Sequence, residues 1–152
     1  MDISYQEGGG KFNYRVCAVM VHEGKLLAMR DERSPYYYLP GGRVKLGETA
    51  EMSEELGAAV RPVRPLWLNQ GFFTEDVDQL RYHELCLYFL MDFAGTDLLA
   101  RGQSFRRDEG VHSHQFTWLP FESLSDAYFY PIFLKKEIFH LPEGLTLRTE
   151  YE

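Results

Sequence analysis

The sequence carries only two cysteines in 152 residues. That is too few for a disulfide scaffold or a thiolate metal centre, and Cys17 and Cys86 each sit inside an apolar run, Val16-Cys17-Ala18-Val19 and Leu85-Cys86-Leu87. They read as buried free thiols of a reducing compartment, the cytoplasm. Apolar runs of membrane-spanning length are also missing, and the first ten residues lack the apolar stretch of a secretory signal. Basic residues are in deficit: lysine and arginine number 16 against 23 aspartates and glutamates, a formal charge of −7. Such a field repels polyanions, which argues against DNA, RNA and anionic membrane as partners. A small phosphorylated ligand stays open, because a local arginine cluster or a divalent cation overrides the global field. There is no internal repeat, low-complexity tract or separating linker, so residues 1–152 read as a single domain.

What is present is an ordinary globular composition, 45% apolar and 26% charged, on a chain long enough to bury about two-thirds of its unfolded surface. Residues 1–10 end in three glycines and are expected to be a flexible lead-in, with order beginning near Phe12. Residues 14–21 and 25–30 are β-rich and flank His22-Glu23-Gly24, which predicts a hairpin. Residues 36–39 predict a strand that stops at a Pro40-Gly41-Gly42 loop. Residues 48–56 are good helix formers closed by Gly57. Further strands are predicted at 59–63, 66–73, 81–93 and 115–119, a mobile loop at 96–113, and a C-terminal helix from Pro131 to His140. Strands first and a helix last give an α+β order.

The densest chemical signal lies between Gly47 and Gly57, where Glu48, Glu51, Glu54 and Glu55 occur with no basic residue among them. On a helix, Glu51, Glu54 and Glu55 fall at i, i+3 and i+4 and share one face. Converging carboxylates repel one another, and a divalent cation relieves the repulsion; oxygen donors without a nearby thiol select Mg²⁺ or Mn²⁺. The alternative is a solvated acidic helix whose glutamates favour the positive end of the dipole.

The run Leu39-Pro40-Gly41-Gly42-Arg43-Val44-Lys45-Leu46-Gly47-Glu48-Thr49, followed by Glu51-Met52-Ser53-Glu54-Glu55-Leu56-Gly57, resembles the box of the Nudix hydrolases. Gly42 and Glu48 match the first spacing, and Met52, Glu54, Glu55 and Gly57 match the tail, with Glu51 in the place of the first tail glutamate. Softer resemblance runs from Tyr14 to Pro131 through Gly71-Phe72-Phe73, His83-Glu84-Leu85 and Phe116-Thr117-Trp118-Leu119-Pro120. One departure stands out: about six residues of the family's box are absent between Thr49 and Glu51, a loss of about 9 Å of helix. They include the arginine that orients the glutamates in the family; Ala50 stands there instead. A naturally degenerate box, an engineered deletion and an incomplete sequence at Ala50–Glu51 all account for it, the last being favoured.

The resemblance implies an α/β/α sandwich, a mixed sheet flanked by the box helix and a C-terminal helix. It implies a Mg²⁺- or Mn²⁺-dependent pyrophosphohydrolase cleaving a nucleoside diphosphate linked to another moiety: a nucleotide sugar, a dinucleotide or a triphosphate. The alternative is a catalytically weakened domain that binds nucleotide as a sensor. Glu48, Glu51, Glu54 and Glu55 are the implied metal ligands, with Glu51 and Glu54 catalytic. Glu84, a carboxylate in an apolar run, joins them as ligand or general base, against the plainer reading of a strand-edge charge. Arg15 and Arg30 are candidate phosphate contacts, Gly41 and Gly42 allow close backbone approach to an anion, and Tyr37 and Phe73 are among the candidate stacking surfaces for a base. His83 reads as a structural hydrogen-bonder, and Trp67 and Trp118 as packing residues. Homodimerisation is common in such a family, and the sequence carries no clear mark of it.

Overall fold

In a computed structural model the described residues are 1–47 and 59–152. The predicted box helix, its glutamates Glu48, Glu51, Glu54 and Glu55, and the Ala50–Glu51 junction lie outside them.

The described residues form two sheets. The strands are β1 (Ser4–Glu7), β2 (Gly10–Val19), β3 (Val21–His22), β4 (Lys25–Asp31), β5 (Gly41–Arg43), β6 (Arg61–Thr74), β7 (Arg81–Asp92), β8 (Ser104–Glu109), β9 (His112–Pro120) and β10 (Thr146–Tyr151). The larger sheet runs β1-β2-β7-β6-β10, with β5 also on β2; the smaller runs β3-β4-β9-β8. The larger sheet is mixed, since β2 runs parallel to β7 and β10 parallel to β6 while the other pairs are antiparallel. A mixed sheet with few helices is the α+β class the sequence predicts.

Strand β2 shows why the sheets share one interior. Its early residues are only partly buried apart from Asn13, but Val16 to Met20 are buried throughout. Cys17 and Val19 pack into one apolar cluster with Leu26, Ala28, Trp67, Tyr88 and Phe133. Val16, Ala18 and Met20 pack into a second with Leu27, Met29, Phe116 and Trp118. A strand covered on both faces reads as a continuous apolar run.

Several local expectations are corrected. Instead of a loose lead-in, residues 4–7 pair with β2 through a Gly8-Gly9 turn, with Gly8 at φ +59° where side chains are disfavoured. The hairpin around Glu23-Gly24 exists, both residues having positive φ, but it joins only β3 to β4. Most of its expected first strand belongs to the other sheet. Residues 36–39 make two isolated bridges, Tyr38 to Met29 and Tyr37 to Phe129, and the glycine loop is a short strand on β2. The expected mobile loop contains β8, paired along its length with β9. The C-terminal helix is reduced to one turn, Leu134–Glu137, after a cis Tyr130–Pro131 bond.

Candidate active site

Along one face of the larger sheet, the side chains change from apolar to polar row by row. Cys17, Tyr88 and Trp67 are in register and belong to the core. The next row on the same face holds Arg43, Arg15, Cys86 and Asn69; the one after it Asn13, Glu84, Gly71 and Glu150. Beyond lie Tyr82 and Phe73. Strand alternation puts these residues on one side, and all of them but Trp67 and Cys86 line a cavity of about 600 Å³ together with Asp31, Tyr36, Tyr38, Glu75, Asp76 and Glu152.

Glu84 sits on the cavity floor. Burial raises its pKa above the ordinary carboxylate range, while the charge of Arg15, a hydrogen bond with Asn13 and the charge of Arg43 oppose the rise. Asn13 is fixed for this contact: it is 2% exposed, and its Oδ1 accepts the Ser4 hydroxyl at 2.5 Å, which leaves its amide nitrogen to donate to Glu84. Gly71, opposite Glu84, has no side chain and keeps the floor open between Glu84 and Glu150. The site therefore sets a buried carboxyl beside two guanidinium groups, a combination suited to binding an anion.

The rim is phenolic. Tyr36 Oη donates to both carboxylate oxygens of Glu75 at 3.0 Å, and Tyr128 and Tyr130 donate to Asp76. The Tyr36 ring lies 5.1 Å from Tyr130 and 5.6 Å from Tyr128. Burial, and then the Glu75 charge, raises the Tyr36 pKa. Phe73 stacks on Tyr82 at 5.1 Å, and Tyr82 donates to Asp78 at 2.8 Å. On the opposite wall Asp31 is 7% exposed; burial would raise its pKa, but the Arg33 guanidinium and backbone N–H hold it below the usual range.

Of the residues singled out from sequence, Arg15, Gly41, Gly42, Phe73 and Glu84 meet at this cavity. Arg30 and Tyr37 do not line it. Their neighbours Met29, Asp31, Tyr36 and Tyr38 do, and Arg30 instead lies exposed with its guanidinium 4.7 Å over the Tyr37 ring. A Cβ on Gly41 would stand 2.3 Å from the Val16 carbonyl oxygen, so strand packing alone demands a glycine there. Glu48, Glu51, Glu54 and Glu55 are not among the described residues. His83 lies between Phe12 and Phe72 on the other face. Asn13, Arg43, Tyr36, Glu75, Glu150 and Glu152 also line the cavity, though nothing in the sequence singles them out as site residues, save that the period-two pattern Asn13-x-Arg15-x-Cys17 puts the first on the face of Arg15.

Among the described residues, no group of three or more His, Cys, Asp or Glu side chains is close enough to hold a metal ion. Glu84 is an oxygen donor in the cavity floor that fits Mg²⁺ or Mn²⁺ only in company with further carboxylates brought close to it.

A mixed sheet carries an arginine-flanked carboxyl in a tyrosine-rimmed cavity, and comparison with known proteins gives the class of protein. Residues 11–138 match the model of the NUDIX domain. The chain belongs to the NUDIX family, hydrolases acting on phosphoric anhydride bonds. No curated protein matches it. Among solved structures, a MutT protein from Bacillus halodurans has 12% identity and a TM-score of 0.59, over 91% of this chain and 89% of that one. A UDP-X diphosphatase has 16% identity and a TM-score of 0.54, over 88% of this chain and 66% of that longer one. An ADP-ribose pyrophosphatase from Streptococcus suis has 13% identity and a TM-score of 0.50, over 90% and 98%. At these identities the likeness is one of fold.

Proposed function

We propose that this chain is a cytoplasmic Mg²⁺- or Mn²⁺-dependent pyrophosphohydrolase that cleaves a nucleoside diphosphate linked to another group, with nucleotide sugars, dinucleotides and triphosphates as the candidate forms. The observation that carries the reading is the row Arg43–Arg15 beside Asn13–Glu84 in one cavity. In a protein of charge −7, two adjacent guanidinium groups create a local site for a pyrophosphate. The activities in the names of the UDP-X diphosphatase and the ADP-ribose pyrophosphatase fit the same substrate class.

Glu84, with Glu48, Glu51, Glu54 and Glu55 of the box, would hold the metal, which supplies charge neutralisation at the phosphates and a lowered pKa for an attacking water. Glu84 would also hold or accept a proton, its carboxyl oriented by Asn13 and its charge balanced by Arg15. Arg15 and Arg43 would grip the anhydride oxygens. Tyr36, Phe73 and Tyr82 would offer ring faces to a base or sugar at the rim. Two free thiols and the lack, among the described residues, of any helix long and apolar enough to cross a membrane accord with the cytoplasmic reading.

The shortened box, with Ala50 in place of the orienting arginine, favours a second reading in which the domain binds nucleotide without turning it over. A panel of nucleotide sugars, dinucleotides and triphosphates with Mg²⁺ or Mn²⁺ separates the two. Metal-stimulated product release that falls about 100-fold or more in Glu84→Gln and Glu54→Gln supports the enzyme. Nucleotide binding by calorimetry with no release from any substrate supports the binding module. Neither binding nor release defeats both.

A further inference from the structure

The cavity is charged unevenly from one end to the other. Its arginines, Arg15 on β2, Arg43 on β5 and Arg33 just after β4, lie at one end, and Arg33 is taken up by its ion pair with Asp31. The other end, toward β10 and the turn between β6 and β7, is lined by Glu75, Asp76, Asp78, Glu150 and Glu152. Among the described residues no lysine or arginine lines that end, and residues 48–58 contain neither.

The hydrogen bonds these carboxylates accept come from neutral donors. Glu75 accepts from Tyr36, Asp76 from Tyr128 and Tyr130, Asp78 from Tyr82 and the Leu80 N–H, and Glu150 from the Phe133 N–H at 3.1 Å. Such bonds orient the oxygens and leave their charge in place. Tyr130 stands among them: burial, and then the charges of Asp76 and Glu152, raise its pKa. Glu150 and Glu152, two residues apart on one face of the sheet, repel each other.

Asn69 makes the same end short of a donor. It lies in the row of Arg15 and diagonal to Glu150, lines the cavity and is 5% exposed, yet among the described residues its Oδ1 accepts no hydrogen bond. An unmatched buried acceptor is costly. Arg148, beside it on β10, is turned elsewhere: its guanidinium pairs with Glu137 and lies 4.4 Å over the Phe133 ring. The Asn69 amide reaches over Gly71 instead, where an added Cβ would stand 3.5 Å from its Nδ2, and so faces the Glu84 and Glu150 row.

Resting on the pyrophosphohydrolase reading, we propose that the group linked to the diphosphate carries a primary ammonium, as an amino sugar or an amino alcohol does, with Asn69 Oδ1 and the Glu150 and Glu152 carboxylates as its acceptors. A primary ammonium brings three N–H donors and a full charge, matching the amide oxygen and relieving the carboxylates together. Strands β2 and β10 lie three strand spacings apart, about 14 Å, a span suited to a diphosphate held at one end and a short amine-bearing group at the other. A metal ion demands a tighter ring: among the described residues no three acids come close enough to ligate one.

Two substrate pairs that set an ammonium against a hydroxyl test this: UDP-glucosamine with UDP-glucose, and CDP-ethanolamine with CDP-glycerol. The expected result is a kcat/KM at least about tenfold higher for the amine in one pair, which also tells amino sugar from amino alcohol. Asn69→Leu and Glu152→Gln each bring that ratio toward one, whereas damage to fold or chemistry lowers both members alike and leaves the ratio. Glu152→Gln decides the matter if Asn69→Leu fails to fold. If no pair is cleaved, the hydrolase reading fails by itself, and the Kd ratios of the same pairs by calorimetry judge the ammonium site. Parity within both pairs, no binding of either amine, or a preference that no folded variant reduces overturns the proposal.

Discussion

A methyl group on Gly41 would sit 2.3 Å from the carbonyl oxygen of Val16 and 3.1 Å from the Cα of Cys17. Neither atom is the end of a flexible side chain, so the strain must move a strand. Gly41→Ala is expected to cost about 1–3 kcal/mol, seen as a lower urea midpoint with an unchanged slope. Glu152 makes a different residue-level prediction. Partial enclosure at the cavity mouth, and then the negative charge of Glu150, raises its carboxyl pKa from 4.5 to about 7. The folded chain holds that proton more tightly than the unfolded one. The resulting stabilisation is complete below about pH 4.5 and is lost as pH rises through about 7. Glu150, whose pKa burial also raises, acts in the same direction. The melting temperature should fall between pH 5 and pH 8, and Glu152→Gln should remove part of that fall.

At the scale of the element, the turn between β6 and β7 is tied down by three phenols from two other places in the chain. Asp76 accepts from Tyr128 and Tyr130, and Glu75 from Tyr36. Asp76→Ala removes an acceptor shared by two tyrosines. Amide exchange over residues 76–80 should quicken about tenfold while exchange in the interior of β6 and β7 stays unchanged. The longer strands were legible in the sequence because their alternation runs for many residues, as in β7 and β9. Strand β10 was not, because its partner β6 lies some 80 positions earlier in the register and no local pattern reports so distant a pairing. The C-terminal helix shrank to one turn because tertiary packing overrode its propensity: Phe133 seats against Trp67 and Tyr88 at 5.3 and 5.5 Å just where the helix was expected to begin. Within the site, Arg15 and Glu84 could be found from their chemistry. Arg30 and Tyr37 could not be sorted from their neighbours, because strand parity alone sends them away from the cavity.

Across the whole molecule, the two sheets do not fold on separate interiors. Alternate residues of β2 and β4 feed both apolar clusters, so loss of one cluster removes support from the other. Trp67 reports on the first cluster and Trp118 on the second. Single-tryptophan variants Trp67→Phe and Trp118→Phe should unfold in denaturant with coincident transitions by fluorescence and far-UV circular dichroism. Separated midpoints within either variant would mean that the sheets come apart in turn. The same sharing ties chemistry to architecture at β2. Asn13, Arg15 and Cys17 look one way along this strand, and Tyr14, Val16 and Ala18 the other. Point substitutions can revise any of these side chains singly, but inserting or deleting one codon upstream in the strand would trade the two sets, driving the Arg15 guanidinium into hydrocarbon and turning Val16 into the polar cavity. Drift in length is thus closed to β2, and Arg15 inherits the protection that packing gives its neighbours.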